Sequence, residues 1–223
     1  PALEYLTVSN RKSLGDDVVA FDLGGLNAEV KDVVVIGGGD TAMDCVRTAI
    51  RQKAKSVSCL YRRDRANMPG SQREVQNAEE EGVVFKWLSA PQAFLGDDKV
   101  RAVQAQRIHL GQPDATGRQV PEVIDGSAHE LPADMVIKAL GFDPEDLPTM
   151  FGQDGLEVTR WGTLKIDWRT MMTNLDGVFA AGDIVRGASL VVWGVRDGRD
   201  AAEAIDQWIM AAADAPRAAG AGR

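Results

Sequence analysis

Apolar positions along the chain follow two rhythms, and their alternation predicts a layered α/β fold before any chemistry is considered. Val33-Val34-Val35-Ile36 is a continuous apolar run, the pattern of a strand buried on both faces. Behind it, Ala42, Cys45, Val46, Ala49 and Ile50 recur at i, i+3, i+4, i+7 and i+8, the stripe of a helix lying on a sheet. Ser56 to Tyr61 reads as the next strand. Ser71 and Glu74 have capping-box spacing, so a helix is expected to begin there and to stop at Gly82, with Glu79-Glu80-Glu81 as its solvated end. Val83 to Leu88 then reads as a third strand, completing a β-α-β-α-β half of a doubly wound sheet.

Further on the pattern becomes alternating. Val100 to Leu110 and Gln119 to Ile124, separated by the turn-rich Gly111 to Gly117, suggest an antiparallel meander. Ala133 to Gly141 returns as a buried strand, ended by Gly141 and Pro144, and a domain boundary is expected near residue 145. Leu156 to Asp167 is hairpin-like, and Val178 to Gly182 reads as a strand echoing Val136 to Gly141. Ser189 to Met210 reads as an amphipathic helix with Val192, Val195, Ala202, Ile205 and Trp208 or Ile209 inward. Residues 1–30 carry no sustained period and read as a lead-in with one short helix around Ala2 to Asn10. Residues 211–223, rich in alanine, glycine and arginine, are expected to be disordered.

The first strand-to-helix junction, Gly37-Gly38-Gly39-Asp40-Thr41-Ala42, has the form of a dinucleotide-binding turn. Gly37 permits the tight turn, Gly39 lets backbone N–H groups approach a pyrophosphate, and Ala42 lets the helix pack on the strand. The helix N-terminus supplies the positive end of a dipole. Arg62 and Arg63 close the second strand where an NAD site would carry an acid for the ribose 2′-hydroxyl, and arginine there favours a 2′-phosphate, hence NADPH. A solvated strand end is the alternative for these arginines, and Asp64 leaves an NAD site open.

Composition narrows the classes. With 33 acidic and 25 basic residues among 223, the net charge of −8 argues against nucleic acid or an anionic membrane as partner. No apolar run approaches the roughly 20 residues of a membrane span, so a cytoplasmic location is expected by default. Cys45 and Cys59 fall on apolar faces without metal-ligand spacing, and His109 and His129 lack ligand or triad neighbours. No metal site and no acid–base catalytic residue is expected.

Several segments together resemble the small (β) subunit family of NADPH-dependent glutamate synthase, a group of flavoproteins with two dinucleotide-binding domains. They are Gly-Gly-Gly-Asp-Thr-Ala-Met-Asp-Cys-Val-Arg-Thr (37–48), Tyr-Arg-Arg (61–63), Asn-Met-Pro-Gly-Ser (67–71), Glu-Glu-Gly-Val (80–83), Ala-Ala-Gly-Asp (180–183) and Ser-Leu-Val-Val-Trp (189–193). The resemblance runs from about Leu3 to Ile209. It implies a Rossmann-like NADPH-binding domain with a parallel sheet and an antiparallel meander over 31–145. The C-terminal half of an FAD-binding domain would follow over 146–210, with residues 1–30 leading in from that FAD domain.

By the same resemblance Gly37, Gly38, Gly39, Asp40, Thr41 and Ala42 would hold the NADPH pyrophosphate, with Arg62 and Arg63 on the 2′-phosphate and Gly141 near the nicotinamide. Asp183 would accept a hydrogen bond from the ribityl chain of FAD, with Gly182 giving close approach and, after Leu190, Val191, Val192 and Trp193 presenting backbone N–H groups. For Asp183 a turn cap is the alternative, and for Trp193 a place in the core. The family's cysteine-rich iron–sulfur region and first FAD turn have no counterpart here, and Cys45 with Cys59 cannot supply the four thiolates a cluster needs. The chain therefore reads as a C-terminal fragment of a subunit that passes hydride from NADPH to FAD. Electrons would then leave through iron–sulfur clusters to a glutamate-forming large subunit. A related NADPH:ferredoxin or pyrimidine-reducing electron-transfer subunit, or a nucleotide-binding module without turnover, are the alternatives.

Overall fold

The chain divides between Gly141 and Phe142 into two units, just ahead of the boundary expected near residue 145. The computed structural model describes residues 1–114 and 117–214, so the tail expected to be disordered lies outside the described residues from 215 onward. Residues 211–214 continue a helix.

The first unit opens with α1 (Ala2–Ser13) and α2 (Val19–Asp22), followed by β1 (Asp32–Ile36), α3 (Asp40–Arg51), β2 (Ser56–Leu60), α4 (Gln72–Glu80) and β3 (Val84–Lys86). Then come β4 (Ser89–Leu95), β5 (Ala102–Pro113), β6 (Gln119–Val123), β7 (His129–Pro132) and β8 (Met135–Lys138). A fully parallel sheet is ordered β3-β2-β1-β8, with Val35 opposite both Cys59 and Ile137. Both faces of β1 are covered, as its unbroken apolar run requires. Val33 and Val35 pack with Ala42, Cys45, Val46 and Ala49 of α3. On the opposite face, Val34 and Ile36 pack with Val103 and Ala105 of β5. The Rossmann-like parallel sheet with an antiparallel meander is thus the observed architecture.

The meander has two strands that periodicity did not reveal. In it β5 pairs antiparallel with β4, β6 and β7. The β4 register shifts between Pro91 and Ala93, which breaks the alternation that would have marked it. β7 is only His129–Pro132, too short to show a period.

Residues 1–30, the expected lead-in, pack on the first unit. Tyr5 is 1 % exposed within the core beneath α3, and its hydroxyl donates to Gln52 Oε1 at 3.1 Å. The capping box at Ser71 also takes a different form. Ser71 is the N-cap of α4, but its side chain makes no cap hydrogen bond. Glu74 is drawn instead into an ion pair with Arg47 of α3, and Arg47 also binds Glu81 at 2.7 Å, joining the two helices.

The second unit contains α5 (Leu147–Phe151), α6 (Asp183–Arg186) and α7 (Val191–Asp214) around a small core of Leu156, Leu164 and Val185. Among its described residues the β contacts are isolated bridges, Val158 with Leu164, Asp167 with Met172, and Met172 with Phe179. The first of these lies in the expected hairpin. The strand expected over Val178 to Gly182 is reduced to the bridge at Phe179, because Gly177 and Gly182, both at positive φ, bracket it too closely for a ladder to extend. The expected inward face of α7 is also rotated. Val192 and Val195 are exposed, whereas Asp197 and Ala201 are buried. A helix can turn a carboxylate inward when a partner neutralises it, and Asp197 has one.

Candidate functional site

At the carboxyl end of β1 each glycine of the turn has its own constraint. Gly37 sits at φ +143, its N–H donates to the Leu60 carbonyl at 3.2 Å, and a Cβ there would lie 2.1 Å from the Ala139 carbonyl oxygen. Gly37 is therefore demanded by the close approach of the chain after β8. A Cβ on Gly38 would overlap the Tyr61 ring at 2.4 Å. Gly39, the N-cap of α3, faces open space, where a Cβ would meet nothing within 4 Å. Ala42 is fully buried and its N–H already donates to the Gly39 carbonyl at 2.9 Å, so it serves the packing of α3 and has no free donor for a ligand. The N–H groups of the first helical residues, Asp40 and Thr41, have no intrahelical acceptor, and those of Gly38 and Gly39 stand just before them.

The loop after β2 closes over this turn, a feature the sequence reading missed. Gly70 N–H donates to the Gly38 carbonyl, and Ser71 N–H donates to Asp40 Oδ1 at 2.8 Å. The Tyr61 hydroxyl donates to the Asn67 carbonyl, and the Tyr61 ring meets Trp87 edge-on at 6.4 Å. The carboxylate of Asp40 is therefore engaged by the loop, which leaves its backbone N–H as its contribution to an anion. Asn67-Met68-Pro69-Gly70-Ser71 is the signal in the chain for this closure, but its target is visible only in three dimensions.

The two arginines part company. Arg62 is exposed, whereas Arg63 is 9 % exposed and turns its guanidinium to the Gln119 carbonyl at 3.4 Å. Arg65 is held by Glu79 at 2.7 Å. Arg62 is thus the cation of the pair presented to solvent beside the turn. Cys45 and Cys59 are free, buried thiols pushed up to about 12 chiefly by burial, so both stay protonated and unreactive at neutral pH. Cys59 lies under the turn, its Sγ donating to the Gly37 carbonyl at 3.4 Å.

In the second unit, Gly182 adopts φ 76 and ψ −151, a conformation that a side chain disfavours, and thereby launches Asp183. Asp183 is exposed, with no side-chain hydrogen bond among the described residues, so the turn-cap alternative finds no support. Leu190 precedes α7, and Val191 and Val192 begin it with N–H groups that have no intrahelical acceptor. Trp193 differs from expectation: its N–H donates to the Leu190 carbonyl at 2.9 Å, and its half-exposed ring stacks with Arg186 and Arg196. Gly141, at φ +105, is the last residue of the first unit.

An open cavity of about 600 Å³ lies elsewhere in the first unit, lined by Phe85, Trp87, Arg107, Ile108, His129 and Leu131 among others. None of the residues at either glycine turn lines it. Among the described residues no helix is long and apolar enough to cross a membrane.

Comparison with known proteins places this geometry. The small chain of glutamate synthase [NADPH] from Azospirillum brasilense is 68 % identical, covering 99 % of this chain and 46 % of that protein. The corresponding chain from Escherichia coli is 45 % identical over 93 % of this chain and 45 % of its own length. The chain thus spans about half the length of these curated relatives. Thioredoxin reductase from Lactococcus lactis superposes with a TM-score of 0.66 at 27 % identity, over 86 % of this chain and 57 % of that one. The family model described as pyridine nucleotide-disulphide oxidoreductase matches residues 8–215. A glycine turn at the carboxyl end of a parallel sheet, within a match that takes in nearly every described residue, makes this chain a member of the pyridine nucleotide-disulphide oxidoreductase family.

Proposed function

We propose that this chain is the C-terminal part of an NADPH-dependent glutamate synthase small subunit. It binds NADPH on its first unit and contributes the second half of an FAD site from its second. The observation that carries the reading is the N–H row from Gly38 to Thr41, unpaired among the described residues and opening onto empty space at Gly39, with the Arg62 cation exposed beside it. A pyrophosphate fits that row, because helix N-terminal donors and the helix dipole favour an anion. Arg62 gives a 2′-phosphate a charge-assisted partner, and Gly141 ends the first unit on the nicotinamide side.

For FAD, Asp183 offers an unpartnered carboxylate that can accept from ribityl hydroxyls, and the Val191 and Val192 N–H groups offer donors. Leu190 flanks them, Gly182 permits close approach, and Trp193 acts through its ring. When both are bound, NADPH supplies a hydride and FAD accepts it. The residues named here bind and orient, and none is required to move a proton. Iron–sulfur clusters, for which this chain has no thiolate set, would have to be held outside it, and they would carry electrons to a glutamate-forming large subunit in the cytoplasm.

The test is a paired titration with NADPH and NADH, following thermal unfolding and heat of binding. A ligand that binds the folded state raises its stability by mass action, so NADPH is expected to raise the melting temperature and NADH to do so far less. Equal responses to both would remove the 2′-phosphate assignment, and no response to either would remove the nucleotide site.

A further inference from the structure

Asp197 is the most deeply buried carboxylate among the described residues of the second unit, at 2 % exposure, and a carboxylate so placed costs free energy unless it is paired. Its partner is Arg186, which closes α6. The guanidinium grips it in a two-pronged pair, Nε to Oδ2 at 3.0 Å and Nη2 to Oδ1 at 2.6 Å. That fork is geometry an ammonium could not supply. The guanidinium carbon also lies 5.0 Å from the ring centres of both Trp168 and Trp193. Arg186 N–H donates to the Gly182 carbonyl at 3.0 Å, so the same residue is tied to the turn that launches Asp183. The pair thus connects two segments: the Gly182-Asp183 turn through the Arg186 backbone, and the first turns of α7 through Trp193 and Asp197.

We propose that Arg186 and Asp197 are positioning residues for the flavin nucleotide, fixing the Asp183 carboxylate relative to the Val191 and Val192 N–H groups so that one ligand can meet both. The inference rests on the reading of those groups as part of an FAD site. A hydrophobic pair would hold the two segments together equally well. What the ion pair adds is a fixed angle and separation, because a planar fork over a carboxylate, with an indole stacked on it, admits little rotation. The Arg186 guanidinium, helped to a smaller extent by the Gly182 N–H and the Arg196 charge, holds the Asp197 carboxyl below the usual carboxylate range, so the clamp stays closed at neutral pH. A carboxyl whose pKa is depressed by folding gives up its contribution as pH falls through that lowered value.

The experiment uses the full-length protein carrying this sequence, stripped of FAD and re-titrated with it, with Asp197→Asn and the milder Arg186→Lys. Asp197→Asn is expected to raise the FAD Kd about tenfold or more, the scale of a lost charge-assisted hydrogen bond, while NADPH affinity stays unchanged. In the FAD-free protein, amides from Gly182 to Trp193 should exchange faster in both variants than in the wild type. Faster exchange confined to these amides, with the amides of the first unit unchanged, is a signature that loss of general stability would not produce. If Asp197→Asn fails to fold, Arg186→Lys, which keeps the charge and loses the fork, carries the same measurements with a smaller effect. FAD binding and amide exchange both unchanged in the variants would overturn the proposal. A wild-type protein that never takes up FAD would instead overturn the flavin reading on which the proposal stands, and amide exchange would still report whether the clamp exists.

Discussion

Gly39-Asp40 and Gly182-Asp183 are the same dipeptide at the start of a helix, and the two units use the aspartate in opposite ways. Asp40 Oδ1 accepts the Ser71 N–H at 2.8 Å, so the carboxylate is turned onto the protein's own loop. Asp183 has no such partner among the described residues and stands exposed. A pyrophosphate repels a carboxylate, so a turn built for it needs that group engaged elsewhere, leaving backbone N–H groups to face the ligand. A ribityl chain donates hydroxyls, so a turn built for it needs an acceptor left free. On the proposed reading, what satisfies the carboxylate, more than the Gly-Asp motif, separates a pyrophosphate turn from a ribityl turn.

The largest effect expected from breaking this arrangement is at Gly37. Gly37→Ala would force a Cβ to within 2.1 Å of the Ala139 carbonyl at a φ of +143, and the strain and overlap together should cost about 3 kcal/mol or more, read from the urea midpoint. Gly39→Ala sharpens the contrast, because its Cβ meets nothing within 4 Å. Its stability should fall by no more than about 1 kcal/mol, the cost of a poorer helix cap, while NADPH binding weakens. If Gly39→Ala bound NADPH as well as the wild type, the open space at that glycine would not be where the ligand lies.

Next in size is the split between the arginines. Arg62→Ala should weaken NADPH about tenfold to a hundredfold, the scale of hydrogen bonds to a charged group, and leave NADH nearly unaffected. Arg63→Ala should instead lower the melting temperature, because its buried guanidinium serves the Gln119 carbonyl. The reverse pattern in calorimetry and thermal melts would exchange the two roles.

What the sequence made legible depended on whether a signal was local. The apolar run of β1, the stripe of α3 and the glycine turn between them are each written within a few residues, and the structure realises them with Val33, Val35, Ala42 and Val46 in one core. The ligand-facing logic of the turn is not local. Tyr61 behind Gly38 and Ser71 on Asp40 come from a loop that must fold back across the sheet. The face of α7 was misread for a related reason. Apolar periodicity favours Val192 and Val195 as inward, but the burial of Asp197 depends on Arg186, on a different helix, which no periodicity on α7 can report. Strands β4 and β7 were missed because a bulge and shortness removed the alternation that defines a strand.

The smallest expected effects test the comparison most directly, through one substitution made in both units. Asp183→Asn keeps a carbonyl acceptor but loses the charge that strengthens it, and should weaken FAD about tenfold in the full-length protein. Asp40→Asn also keeps a carbonyl oxygen for the Ser71 N–H, so the loop stays closed, while a negative charge beside the proposed pyrophosphate row disappears. NADPH affinity should then hold or rise by about twofold to fivefold, more at low ionic strength than at high, because the relieved repulsion acts through water and is screened by salt. Titrations of both variants at two salt concentrations read this out. An Asp40→Asn protein that lost NADPH as steeply as Asp183→Asn loses FAD would mean that both carboxylates touch their ligands, and that the hydrogen bond to Ser71 does not separate an anion-binding turn from a hydroxyl-binding one.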